Sequence, residues 1–127
     1  MRNLRMALVG ELTAIRFYRR LMDMAPNAEH REQIEHAYKD EHKHYRMFAH
    51  LYFRLTGRRP DVQPMTVTFA TYEEGLKKAF YDEVEAAELY RDTQLLTRSQ
   101  TIRDIFYEAM TDEMEHAARF SFIYHQL

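Results

Sequence analysis

The sequence predicts an all-α protein, a four-helix bundle with a long crossover between the second and third helices. Three observations predict it. Apolar residues recur at alternating three- and four-residue steps in four stretches. The 127 residues include only 3 Gly and 3 Pro, too few for a turn-rich β fold. One patternless stretch, residues 58–70, separates two pairs of periodic segments.

The elements follow in order. Leu4, Leu8, Glu11, Ile15, Tyr18 and Met22 share one helix face, which ends near Ala25-Pro26 because proline disfavours helix in the residue before it. Asn27 is a suitable N-cap for the second helix, with Ile34, Ala37, Glu41, His44, Phe48, Leu51 and Leu55 on its face and Gly57 as its stop. Pro60 and Pro64 mark the crossover. Thr71 followed by Glu74 is a capping-box signal. It opens a third helix carrying Leu76, Phe80, Glu83, Ala87 and Tyr90. After a break at 97–99, with Ser99 as N-cap, the fourth helix carries Ile102, Phe106, Ala109, Glu113, His116, Phe120, Ile123 and Leu127. The whole is one domain, 1–127, made of a hairpin 1–57, the crossover and a hairpin 71–127.

Composition excludes several function classes. With 46% hydrophobic and 30% charged residues the chain is an ordinary globular one. It has no Cys, hence no disulfide framework, thiolate metal site or Cys nucleophile. Its net charge of −2 gives no bulk attraction to nucleic acid or anionic membrane. No apolar run approaches the ~18–20 residues that span a bilayer. The basic N-terminus reads as the start of the first helix, and a cytoplasmic location is the default.

Polar residues interrupt the apolar seam: Glu11 in the first helix, Glu41 and His44 in the second, Glu83 in the third, Glu113 and His116 in the fourth. Each Glu–His pair is spaced i, i+3 and projects from one face. A lone buried carboxylate is costly or neutralised. No Lys or Arg shares the seam, so an ion-paired core does not explain the set. Four carboxylates supply about −4, two divalent ions about +4, and neutral imidazoles complete the coordination.

A shift of 72 residues aligns the two halves without a gap. It superposes Glu11 on Glu83, Glu41 on Glu113, His44 on His116, Asp40 on Asp112, and Tyr18 on Tyr90. The site is therefore expected to be pseudo-twofold. In the third helix Glu85 offers a rival register. Two residues turn a helix by roughly 200°, so Glu83 and Glu85 cannot both face inward. The Glu85 register would bury Lys78, Tyr81, Glu88 and Asp92, so burial favours Glu83.

These motifs resemble the ferritin-like superfamily, and within it the rubrerythrin-type di-iron domain. Gly10-Glu11-x-x-Ala14-x-x-x-Tyr18 is similar to that family's first-helix motif. Asp40-Glu41-x-x-His44 and Asp112-Glu113-x-x-His116-x-x-Arg119-Phe120 are similar to its two Glu-x-x-His helices. The resemblance implies a ferritin-like four-helix bundle with Glu11 and Glu83 as terminal ligands, His44 and His116 one on each metal, and Glu41 and Glu113 as bridges. Ala86 stands where rubrerythrins carry an additional Glu, and no rubredoxin-like site is present. The six-ligand set is thus similar to the symmetric site of bacterioferritin. The fourth helix reaches Leu127, without the extra helix of cage-forming ferritins, which argues against mineral storage.

A di-iron oxidoreductase reacting with hydrogen peroxide or dioxygen, of peroxidase or ferroxidase type, is the leading expectation, with a role in oxidative stress. Two iron ions are the expected cofactors, with manganese as the alternative metal. An external electron donor is required because no carrier is present. The other readings are an iron-binding or partner-recruited protein without turnover, and a helical scaffold with a vestigial site. Asp40 and Asp112 are each placed to accept the second N–H of a ligand imidazole across the bundle; solvated positions are the alternative. Tyr18 and Tyr90 could hydrogen-bond ligand carboxylates, or be ordinary core aromatics. His30, His36, His42, His50 and His125 are expected at the surface. Tyr38, Tyr45 and Tyr52 recur every seven residues, either as further packing or as the face of a homodimer.

Overall fold

The computed structural model describes residues 1–127 as four helices: α1 (Arg2–Met24), α2 (Ala28–Thr56), α3 (Tyr72–Leu96) and α4 (Gln100–Tyr124). The local signals act where the sequence places them. Asn27 Oδ1 accepts from His30 N at 2.9 Å, and Ser99 Oγ accepts from Ile102 N at 3.3 Å. Thr71 Oγ1 accepts from Glu74 N at 3.1 Å, but Glu74 returns its bond to Ala70 N rather than to Thr71 N. Gly57 closes α2 at φ 72°, a left-handed conformation that a side chain would strain.

α1 packs on α2 and α3 on α4, and the two hairpins meet through α1 against α3 and α2 against α4. All four neighbouring pairs are antiparallel. The pseudo-twofold axis therefore crosses the bundle at right angles, piercing the α1/α3 face and the α2/α4 face. Its mates form two apolar clusters, one toward each end of the bundle. One holds Tyr18, Ala37, Leu76, Ala79, Phe120 and Ile123; the other holds Tyr90, Ala109, Leu4, Ala7, Phe48 and Leu51. Each large side chain buried there contributes about 1.5–3 kcal/mol. Together the clusters clamp the polar middle layer.

The crossover runs along the groove between α1 and α3. Met65 N donates to Thr13 Oγ1 at 2.9 Å, and Arg20 Nη1 donates to the Val67 carbonyl at 2.7 Å. Phe69 packs on Phe17 with ring centroids 5.2 Å apart. At Gly75 a Cβ would stand 2.7 Å from Leu21 Cδ1 and 2.9 Å from the Phe69 ring, so the crossover reaches α3 only because that position has no side chain.

Several expectations change. His30, expected at the surface, is buried, its ring between the Tyr72 hydroxyl (2.8 Å) and Gln126 Oε1 (3.0 Å), where it ties α2 to α3 and to the chain end. Leu55 and Leu127 are exposed because the seam runs past the end of the bundle. Ala87 is half-buried rather than core. Tyr38, Tyr45 and Tyr52 are half-buried against the two clusters, and Arg5 donates to the Tyr52 hydroxyl at 3.2 Å. No helix is long and apolar enough to cross a membrane.

Candidate metal centre

The six seam residues meet in the middle layer. Glu11, Glu41, Glu83 and Glu113 are each 1% exposed, and His44 and His116 are 0% exposed. Glu85, Lys78, Tyr81, Glu88 and Asp92 are exposed, so α3 adopts the Glu83 register. His44 Nδ1 lies 3.1 Å from Glu41 Oε1, 3.1 Å from Glu113 Oε1 and 3.5 Å from Glu11 Oε1. His116 Nδ1 lies 3.4 Å from Glu83 Oε2, 3.5 Å from Glu113 Oε1 and 3.6 Å from Glu41 Oε1.

None of these inward-facing atoms has a hydrogen-bond partner: Glu11 Oε1, Glu41 Oε1, Glu83 Oε2, Glu113 Oε1 and both Nδ1 atoms are buried and orphaned. Buried polar atoms are rarely left so. Their spacing is that of atoms arranged about common centres at the ~2.0–2.2 Å of metal–oxygen and metal–nitrogen bonds. They fall into two groups, Glu11, Glu41, His44, Glu113 and Glu41, Glu83, Glu113, His116. Glu41 and Glu113 belong to both. Two overlapping sites with two shared carboxylates fit a pair of cations, and a mixed oxygen and imidazole set suits iron or manganese.

The outer atoms of four of the six residues, His44, His116, Glu11 and Glu83, are held crosswise between hairpins. His44 Nε2 bonds Asp112 Oδ2 at 2.8 Å, and His116 Nε2 bonds Asp40 Oδ2 at 2.8 Å. These bonds fix Nε2–H as the donor and leave Nδ1 to face inward. Tyr18 of α1 donates to Glu83 of α3, and Tyr90 of α3 donates to Glu11 of α1. The structure thus places both tyrosines against carboxylates of the opposite hairpin, a pairing set by the antiparallel approach of α1 and α3.

The electrostatics follow from burial and crowding. Burial first, then the charges of Glu11 and Glu83, push the Glu41 carboxyl well above its ordinary range. Burial and the Glu41 and Glu83 charges do the same to Glu113. Burial alone would lower the imidazole values. The surrounding carboxylates overcome it and hold His44 up at about 11 and His116 at about 10. Without a metal the site therefore retains protons that bound cations must displace. Burial and the neighbouring glutamates raise Tyr18 and Tyr90 far above 10, so both remain phenols that donate. The hydrogen bond from His116 holds Asp40 below its ordinary value. Asp112 is also lowered: burial would raise it, but the bonds from His44 and Lys43 outweigh that effect.

The two sides of the centre differ. Toward α2/α4 the histidines are closed in by Asp40, Asp112, Lys43 and His36. Toward α1/α3 a cavity of about 780 Å³ reaches the four glutamates from under the crossover. Its walls include Val9, Gly10, Ala14, Ala86 and Leu89, and Val62 and Met65 to Thr68 of the crossover form its roof. Its mouth carries Arg5, Lys78, Asp82 and Glu85. The only trace of this cavity in the sequence is its small lining residues, Gly10, Ala14 and Ala86.

Comparison with known proteins agrees with this architecture. Residues 1–81 match the family described as ubiquinone biosynthesis protein COQ7. The matched region holds Glu11, Glu41 and His44; the second half supplies their symmetry mates. The uncharacterized protein YhjR of Bacillus subtilis (strain 168) is 35% identical over 119 residues, covering 94% of this chain and 82% of that protein. Among solved structures, a hypothetical protein from Pyrococcus furiosus superposes with a TM-score of 0.84 at 20% identity, over 97% of this chain and 86% of that one. A conserved hypothetical protein from Mycobacterium tuberculosis gives 0.81 at 15% identity, over 95% and 93%. A two-domain protein from Anabaena variabilis, with DJ-1/ThiJ/PfpI-like and ferritin-like domains, gives 0.80 at 15% identity, over 98% of this chain and 35% of that one. The chain belongs to the COQ7 family, a member of the ferritin-like di-iron superfamily.

Proposed function

We propose that this protein is a non-haem di-iron oxidoreductase that consumes dioxygen or hydrogen peroxide. The observation that carries the reading is the sharing of Glu41 and Glu113 between two four-residue groups whose inward atoms are all unpartnered. Glu11 and His44 would complete one position, Glu83 and His116 the other. The chemistry that a bound pair of iron ions would supply there is one electron from each metal to the oxidant; manganese is the alternative metal.

The chain's residues set the conditions for that chemistry. Asp40 and Asp112 fix the imidazole orientation. Tyr18 and Tyr90 steady the terminal carboxylates while leaving their other oxygens inward. The apolar clusters exclude water from both ends of the layer. The carboxylates, not the histidines, line the cavity, so an oxidant or substrate approaches from the α1/α3 side. With no Cys in the chain to carry electrons, reductant comes from outside. A cytoplasmic location accompanies this reading.

The cavity favours an organic co-substrate over Fe²⁺. It has the volume of a small-molecule site and mostly apolar walls beside the carboxylates. The description of the matched family, ubiquinone biosynthesis, directs that substrate class toward quinone-type rings. Rapid mixing of the reduced, iron-loaded protein with dioxygen or peroxide tests the proposal. Oxidation within seconds, accelerated by a ring substrate, supports it. Oxidation over hours would favour passive iron binding. Rapid oxidation with continuing Fe²⁺ consumption and no effect of ring substrates would favour ferroxidase activity.

A further inference from the structure

The six central residues obey the pseudo-twofold, but the charges behind the histidines do not. Lys43 stands on the α2/α4 face, its Nζ 2.9 Å from Asp112 Oδ2 and 3.9 Å from Asp40 Oδ1. The oxygen it bonds is the one that accepts from His44 Nε2 at 2.8 Å. The 72-residue repeat places Glu115 opposite Lys43, an anion where the other half has a cation. Glu115 Oε1 is bonded by Arg119 Nε at 2.9 Å and Nη2 at 2.7 Å. His36 Nε2 lies between the acids, 3.1 Å from Glu115 Oε1 and 3.3 Å from Asp40 Oδ2. No ammonium bonds the Asp40 oxygen that receives His116.

An ammonium that shares the accepting oxygen of Asp112 draws electron density away from the His44 hydrogen bond. The imidazole is then polarised less, and its Nδ1 is a poorer donor to a cation. The ammonium charge also repels a cation in that half directly. On the other side the accepting oxygen of Asp40 faces an imidazole, His36 at 3.3 Å, which Glu115 engages more closely at 3.1 Å, rather than an ammonium.

We propose that Lys43 makes the two metal positions unequal, so that the position bounded by Glu83 and His116 fills before the one bounded by Glu11 and His44. This rests on the two-metal reading above and adds an order of filling to it. Lys43 acts through Asp112, so it is a positioning residue rather than a ligand.

The test is a Zn²⁺ titration of the full chain, followed by NMR of the histidine rings. In the native protein the His116 signals should move during the first equivalent and those of His44 during the second, with affinities separated by about tenfold. The Lys43 side chain is 40% exposed, so Lys43→Met removes its charge without opening a core cavity. In that variant the two rings should respond together. Lys43→Arg, which keeps the charge, should restore the order. Simultaneous filling in the native chain, His44 responding first, or an order unchanged by Lys43→Met would overturn the proposal while leaving the two-metal reading intact. Failure of Zn²⁺ to reach either ring would overturn both.

Discussion

The two faces pierced by the pseudo-twofold axis are built from mates of the same repeat, yet they do opposite work. The α2/α4 face is charged and closed: Asp40, Asp112, Lys43 and His36 stand directly behind the two imidazoles. The α1/α3 face is apolar and hollow, its small residues Gly10, Ala14 and Ala86 leaving a cavity beneath the crossover. Symmetry fixes the number and spacing of inward ligands. The unsymmetrical crossover, which has only one copy, roofs one face and not the other. On the proposed function, holding metal and admitting substrate would fall to different surfaces, and each could be perturbed alone.

The largest effect should come from the residues on which both faces depend. Glu41→Ala removes a carboxylate shared by both candidate positions, so metal content, read by elemental analysis, should fall from about two per chain to below one. Retention of two would contradict the sharing. On the closed face, Asp112→Ala releases the His44 ring and should weaken metal binding by about 10–100-fold in a competition titration. It should leave the cavity unchanged.

The pH dependence of stability separates the metal-free and loaded chains. In the metal-free chain His44 and His116 are raised above 6.5, to about 11 and about 10. Their contribution is complete below 6.5 and disappears as pH rises through those values. Glu41 and Glu113 are also raised and act in the same direction. The metal-free Tm should therefore drop by about 5 °C or more between pH 6 and pH 9. Metal-loaded protein should show the reverse trend from pH 5.5 to 8, because protons compete for the ligands. Parallel curves would show that protons and metal do not share the site.

The smallest effect belongs to the open face. Gly10 lines the cavity and nothing lies within 4 Å of a Cβ built there, so a side chain can start from this position without displacing a neighbour. Gly10→Leu should raise the KM for a ring substrate by roughly tenfold, with metal content unchanged. A parallel loss of metal would mean that the two faces are not separable.

Much of this was legible in the sequence because it repeats at helical spacing. Glu11, Glu41, His44 and their mates are out of place in an apolar seam, and burial excludes the Glu85 register. His30 is legible too: it lies four residues before Ile34, on the same face as Ala37, Glu41 and His44, although its residue type alone argues for the surface. Other features depend on long-range packing. Phe17 and Leu21 widen the buried arc of α1 only because Phe69 of the crossover lies across them. The crosswise Tyr18–Glu83 and Tyr90–Glu11 bonds require the antiparallel approach of α1 to α3. The role of Lys43 depends on where Asp112 arrives from the other hairpin. No spacing within one helix encodes these meetings.

Anomalous diffraction from iron-loaded crystals, recorded on both sides of the iron edge, tests the centre most directly. We expect two peaks about 3.5–4 Å apart, one beside His44 Nδ1 and one beside His116 Nδ1, with Glu41 and Glu113 between them. A single peak, peaks at the surface, or a middle layer in which the four carboxylates share only protons would contradict it.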